Sequence, residues 1–310
     1  FGALYPTDYP YTITEGNYGQ ENILKALTLV AKSYGLNVIA VVPVNNFKSV
    51  WDKNPLWRSK TMEDQDYIPG KDIYLLSAWH PEFRDWLRGF YTDLLEKNPE
   101  IDGIEAVEPF IDYNWFGEAD YNPFANMVYK VAFPNGELGD ANWNSLRAQG
   151  LTDLIGIMNS IAHLFAKTTY LVQTWPAKVD GRLFSNAEIK SNIGLDFDGV
   201  LNLKNPERPD FIMAEFMWQQ WAAEYGSGVF SEEWTRQAAL NFMKFVDSRA
   251  NVVVHLEISP FSGRRQRVIP TKPQFLKALQ SLRDLDIGIE VYDYSQISKA
   301  GAWPELRQWY

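Results

Sequence analysis

Short apolar runs alternate along the chain with stretches of helical periodicity, and this alternation constrains the fold more than any other feature. The runs cover 36–44, 73–76, 102–108, 168–174, 210–216, 251–258 and 287–292. Helical patterns lie between them, at 20–34, 81–95, 145–166, 232–248 and 273–285. In the first, Ile23, Leu24, Ala26, Leu27, Leu29, Val30 and Ala31 make a broad apolar stripe and Gly35 supplies the stop. In the second, Phe83, Trp86, Leu87, Phe90, Tyr91 and Leu94 share one face, and Pro81 suits the first turn. Strands joined by helices are parallel, because each connection has to cross back over the sheet before the next strand starts. Runs such as 36–44 are apolar at nearly every position, the pattern of a strand covered on both faces.

The expected fold class is therefore α/β, as a (β/α)8 TIM barrel forming a single domain over residues 1–310. Seven runs leave one strand to find, and the simplest expectation places it just upstream of Phe1. A chain of 310 residues fits one barrel of about 250 residues plus insertions. The aromatic-rich stretches 45–71 and 114–144 read as loop insertions at the carboxyl face. A doubly wound open sheet is the competing architecture. It is disfavoured because no Gly-rich phosphate loop follows any run, and because acids and aromatics recur at several strand exits instead of at one switch point.

Charge and composition narrow the chemistry. A net charge of −10 leaves no basic surface for nucleic acid or an anionic membrane, and no apolar run reaches the length of a membrane span, so neither nucleic acid nor membrane insertion is expected. With no Cys and only His80, His163 and His255, thiolate chemistry is excluded and a histidine metal motif has no material. Asp112, Asp120, Asp196 and Asp198 lack the spacing of a calcium loop. No metal and no cofactor is expected. Aromatic residues reach 15%, with 12 Trp, which suggests that many line a groove as well as fill a core.

The strand exits carry the candidate site. The run 102–108 ends at Glu108, and Pro109 lacks the donor needed to continue a ladder. Later runs end at Gln173 and Trp175, at Glu215 and Trp218, at His255 and Glu257, and at Tyr292, Asp293 and Tyr294. In an α/β barrel the carboxyl ends of the strands face the active site. Two carboxyls are what glycosidic cleavage needs, one to protonate the leaving oxygen and one to attack or to activate water. Aromatic rings stack on sugar faces, and Trp79, Trp115, Trp175, Trp218, Tyr292 and Tyr294 are the candidates, with Gln173, His255 and Asp293 for hydroxyls. Glu105 has the opposite side-chain parity to Glu108 and reads as structural. The basic run Arg264, Arg265 and Arg267 reads as a solvated loop.

The segment Ser77-Ala78-Trp79-His80-Pro81-Glu82-Phe83-Arg84-Asp85-Trp86, followed by Asp102-Gly103-Ile104, resembles the "His-Pro-Glu-Val-Arg … Asp-Gly-Ile" signature of bacterial glycosyl-hydrolase-like barrels. That group includes the hydrolase domain of the poly-N-acetylglucosamine deacetylases of biofilm systems. The likeness extends over residues 1–115, taking in Ala3-Leu4-Tyr5-Pro6 and the run 36–44. By this resemblance Glu108 sits where the family places a catalytic Asp, five residues after the strand's Gly, while Val107 replaces a usual His and Pro109 a second acid. The Glu108-Pro109 pair with a later strand-end Glu also looks like the arrangement of the large retaining-glycosidase clan, with Val107 where that clan has Asn.

The expected function is a glycoside hydrolase, endo-acting on an exopolysaccharide such as a partly deacetylated amino-sugar polymer. Glu108 is the expected general acid/base, Glu257 the nucleophile or base, and Glu215 a substitute for either. The partner is a polysaccharide substrate, alongside other exopolysaccharide-system domains, and the setting secreted or periplasmic. A non-catalytic polysaccharide-binding barrel in polymer export is the alternative, and it needs the aromatics but not paired acids.

Overall fold

The computed structural model describes residues 3–14, 21–112, 118–226, 228–258, 261–262, 267–268 and 270–308. Its strands are β1 Ile39–Val42, β2 Gly103–Val107, β3 Thr168–Thr174, β4 Phe211–Glu215, β5 Asn251–Glu257, β6 Phe261–Ser262, β7 Arg267–Val268 and β8 Gly288–Tyr292. Its helices are α1 Ile23–Ser33, α2 Lys48–Lys53, α3 Pro81–Lys97, α4 Pro123–Ala132, α5 Ala141–Leu164, α6 Asn186–Ile193, α7 Phe197–Leu201, α8 Trp218–Tyr225, α9 Glu232–Val246, α10 Lys272–Ser281, α11 Tyr294–Ala300 and α12 Trp303–Leu306.

Six strands form one parallel sheet in the order β1-β2-β3-β4-β5-β8, and β6 and β7 make a separate antiparallel pair. Spatial order follows chain order without reversal. A doubly wound sheet requires a reversal at its switch point, so that alternative is excluded. By compactness the chain divides into two units, Phe1–Leu171 with Asn186–Pro209, and Val172–Ser185 with Asp210–Tyr310. The first half of β3 belongs to one and its second half to the other.

In the first unit β1 and β2 pair from Ile39 with Gly103 to Val42 with Ala106. The Asp102-Gly103 step works through contact. Asp102 Oδ2 accepts from the Val38 amide at 2.8 Å and Oδ1 pairs with Lys32 at 3.0 Å, tying the entry of β1 to that of β2. Gly103 is the first residue of β2, and a Cβ there would lie 2.4 Å from the Thr168 carbonyl oxygen on β3. On the helical side α3 packs on α5 with Phe83, Leu87, Tyr91 and Leu95 fully buried. Pro81 stands at the first turn of α3 as its chemistry requires.

Several sequence expectations change here. The run 73–76 is not a sheet strand: Leu75 and Leu76 make single antiparallel bridges to Asn46 and Arg58. Four residues flanked by turn formers bury Leu75 and Leu76 without extending a ladder, and β1 pairs directly with β2. The stretch 114–144 is not loop throughout, since α4 and the start of α5 lie in it. Asn122 and Asp140 cap these helices by accepting from the amides of Phe124 and Trp143. Their aromatics form a core of Tyr121, Ala125, Tyr129 and Trp143, against which Trp79 packs. Residues 45–71 likewise contain α2 and a 3-10 turn, Pro55–Trp57. The stripe of α1 buries only Thr28 fully, and Leu27, Val30 and Tyr34 stay exposed.

In the second unit β4, β5 and β8 pair in parallel, Phe211 opposite Asn251 and Val253 opposite Gly288. Helices α9 and α10 pack on each other and on β5. Thr271 and Gln274 close a reciprocal capping box at the start of α10. Trp175 fills the core between Phe242 and Phe245, each ring 5.0 Å away. Among the described residues no helix is long and apolar enough to cross a membrane.

Candidate active site

The carboxyl ends of β3, β4, β5 and β8 in the second unit bring ionisable side chains onto one face. In a parallel sheet, residues in register present side chains to the same side, and side chains alternate along each strand. Glu215 on β4 is in register with His255 on β5, and His255 with Glu290 on β8. One step further along, Glu257 is in register with Tyr292. Glu215, His255 and Glu290 therefore form a row across three strands, with Glu257 and Tyr292 forming the next.

Glu257 is the most perturbed member. It is 3% exposed, its Oε2 accepts from the Gln219 amide at 3.3 Å, and its Oε1 has no hydrogen-bond partner among the described residues. The Gln219 amide lies in the first turn of α8, where the helix leaves its own amide groups unsatisfied. Burial pushes the Glu257 carboxyl up to about 7; His255 and the Gln219 amide pull against this, and the neighbouring Glu215 charge adds to it. Near neutral pH, then, a good fraction of Glu257 holds a proton.

His255 lies at 1% exposure, with Nδ1 paired to Glu290 Oε2. Burial alone would neutralise the ring, but the Glu290, Glu215 and Glu257 carboxylates outweigh it, and the imidazole pKa is raised. Glu215 is half-buried and its Oε2 accepts from Thr174 Oγ1 at 2.8 Å. Gln219 Nε2 donates to Gln274 Oε1 at 3.4 Å, while Gln219 Oε1 and Trp218 Nε1 are buried without partners among the described residues. The arrangement offers one proton-holding carboxyl, one further carboxylate on the adjacent strand and a cationic ring beside them. Among the described residues no group of acids and histidines is suited to hold a metal ion.

The other sequence candidates fall in different places. Gln173 is buried, and its Oε1 accepts from the Thr174 amide at 2.9 Å. Trp175 and Trp218 are 3% and 2% exposed, too deep to offer a ring face to a sugar as they stand. Tyr292 is half exposed, Asp293 caps α11 by accepting from the Gln296 amide, and Tyr294 rests against Trp303. Trp79 belongs to the first unit, where Nε1 donates to the Leu146 carbonyl and Arg84 lies over its ring. Glu108 also belongs to the first unit, exposed just after β2 with φ 38, a backbone region that side-chain-bearing residues rarely adopt. Trp115 lies outside the described residues, as do Arg264 and Arg265.

The Trp79-to-Arg84 motif builds a packing corner. His80 is buried against Phe124 at 4.5 Å, and Trp57 Nε1 donates to Glu82 at 2.9 Å. Arg84 reaches the Ala78 carbonyl and Asp153. Sequence reasoning missed Glu290. The signal available was an acid between Ile289 and Val291, two residues before the exit at Tyr292 and on the same strand face.

Neither a protein-family model nor a curated protein sequence matches the chain. Solved structures do match in fold. A β-galactosidase from the psychrophilic Marinomonas ef1 superposes with a TM-score of 0.64 at 10% identity, over 94% of this chain and 49% of that one. α-L-Fucosidase isoenzyme 2 from Paenibacillus thiaminolyticus superposes with a TM-score of 0.60 at 12% identity, over 99% of this chain and 42% of that one. The chain thus spans less than half the length of each. Both neighbours are glycoside hydrolases, and the likeness, with the six parallel strands, fits a TIM-type barrel.

Proposed function

We propose that the protein is a glycoside hydrolase in which Glu257 is the general acid and Glu215 the carboxylate that works with it. The observation that carries this reading is the buried Glu257 carboxyl, held up to about 7 beside a second carboxylate at the end of the adjacent parallel strand. Pairs of acids whose surroundings separate their roles are the signature of glycosidic chemistry. Glu257 passes its proton to the glycosidic oxygen as the bond from that oxygen to the anomeric carbon breaks, and the bonding pair leaves with the oxygen. The Glu215 carboxylate attacks the anomeric carbon or takes the proton of the water that does. The fold shared with two glycosidases supports the reading. It moves the acid role, expected of Glu108, to Glu257, whose burial suits an acid better than a nucleophile.

The proposed substrate is an exopolysaccharide, cleaved internally, with an amino-sugar polymer carrying some free amines as the first choice, in a secreted or periplasmic setting. The support is the net charge of −10 and the resemblance at residues 77–104. Reducing-end release on a panel of exopolysaccharides tests the activity. Glu257→Gln should lose about 10²-fold or more on natural linkages, yet recover on aryl glycosides whose leaving group needs no proton, while Glu215→Gln should fail on both. Parental rates in both folded variants would overturn the assignment. Glu108→Gln in the same assays tests the expectation drawn from the first unit.

A further inference from the structure

We propose that His255 and Glu290 form a positioning pair that keeps a buried cation beside Glu215 and Glu257 and so poises Glu257 to release its proton. This rests on the glycosidase reading for its use, and on geometry for its existence. The strand register places Glu215, His255 and Glu290 in one row on adjacent parallel strands, with Glu257 one step along the same face. Nδ1 of His255 is paired with Oε2 of Glu290, so the ring is held by an ion pair from the neighbouring strand.

The pair differs from an ordinary structural bridge in its depth and its company. The His255 side chain is 1% exposed and that of Glu290 29%. A bridge of that depth returns little net stability, because desolvation of the ions offsets their attraction. Among the described residues, the groups facing His255 include Glu215 from β4, Glu257 from its own strand, and Glu290 and Tyr292 from β8, the last with its ring centroid 6.5 Å away. Three acids around one imidazole favour its charged form. That charge in turn opposes the burial of Glu257 and favours loss of the Glu257 proton. Glu290 acts by keeping His255 charged. His255, expected from the sequence to hold a sugar hydroxyl, is 1% exposed and is given a positioning role here instead, as is Glu290, so their effect should fall on proton release and leave substrate binding in place.

The test is an NMR titration of the carboxyl carbons and the imidazole ring protons of the whole chain, without substrate, in the parent and in His255→Gln and Glu290→Gln. Glu257 is assigned by its absence in Glu257→Gln, and His255 by its absence in His255→Gln, which the total of three His makes simple. His255→Gln should move the Glu257 midpoint upward by about one pH unit, the usual effect of losing an opposite charge nearby. Glu290→Gln should move it in the same direction by less, and should lower the midpoint of His255 itself. If His255→Gln does not fold, Glu290→Gln with the His255 titration decides the matter. A Glu257 midpoint that stays in place in folded variants overturns the proposal. Where glycosidase activity is present, the alkaline limb of the pH–rate profile should follow the Glu257 midpoint in each variant, with KM little changed. If the midpoints move but no preparation cleaves a glycoside, the pair is upheld and the glycosidase reading falls.

Discussion

At the scale of the residue, Glu257 carries the stability cost of a buried acid. Its carboxyl ionises at about 7 in the folded chain and near 4.5 when unfolded. With the folded value raised, the native state holds a proton that the unfolded state has already released, so stability falls as pH rises from about 4.5 through about 7 and then levels. A gap of one pH unit between the two midpoints is worth about 1.4 kcal/mol, which makes the full loss about 3 kcal/mol for this buried group. Glu257→Gln keeps the shape and removes the charge. The variant should be more stable than the parent by about 3 kcal/mol at pH 8, with the gain shrinking toward pH 4.5, as measured by denaturant unfolding across that range. A gain independent of pH would mean that Glu257 is not the buried acid described. The sequence made Glu215, His255 and Glu257 legible because polar residues at the end of an apolar run stand out. Glu290 was not, because its importance lies in a partner on the adjacent strand, and register is invisible until strands are paired. The indoles misled for a physical reason: a Trp beside a strand end can fill a core or face a groove, and Trp175 found Phe242 and Phe245.

At the scale of the element, most strands with helices on either side of them in sequence were legible to within a residue or so, whereas the run 36–44 shortens to β1, Ile39–Val42. The run 168–174 is β3, and α3 starts at Pro81. The first is rich in the β-branched and aromatic residues that strands favour, and the second pairs a one-sided apolar face with Pro81 in the first turn, where a proline costs a helix nothing. The run 73–76 has the apolar pattern without the length, and a short run is stable wherever its side chains find cover. Gly103 shows a constraint of another kind. Its missing side chain lets β2 approach β3, and the obstacle to any Cβ is the Thr168 carbonyl, which is backbone and cannot rotate away. Gly103→Ala should therefore destabilise the chain by about 2 kcal/mol, the usual cost of overpacking, despite the better strand character of alanine. Thermal unfolding of this variant against Gly70→Ala, where a Cβ meets open space, separates the two effects.

At the scale of the whole molecule, an uninterrupted alternation reads as one domain, and by compactness the chain has two units, with β3 divided between them. No linker marks that division, since the boundary falls inside a strand, and periodicity carries no information about compactness. Net charge, by contrast, is a whole-molecule quantity that the sequence supplies directly. A chain with a charge of −10 attracts a polymer carrying amines over distances of about 8 Å at physiological salt, and over longer distances when salt is dilute. A neutral polymer of the same sugars feels no such pull. If the substrate is a partly deacetylated amino-sugar polymer, its KM should rise several-fold between about 10 mM and about 300 mM salt. The fully acetylated polymer should show little change over the same range, and kcat should hold for both, because the buried acid at Glu257 is screened far less than the surface. Equal salt dependence for the two polymers would remove charge as the basis of recognition and leave sugar shape to account for it.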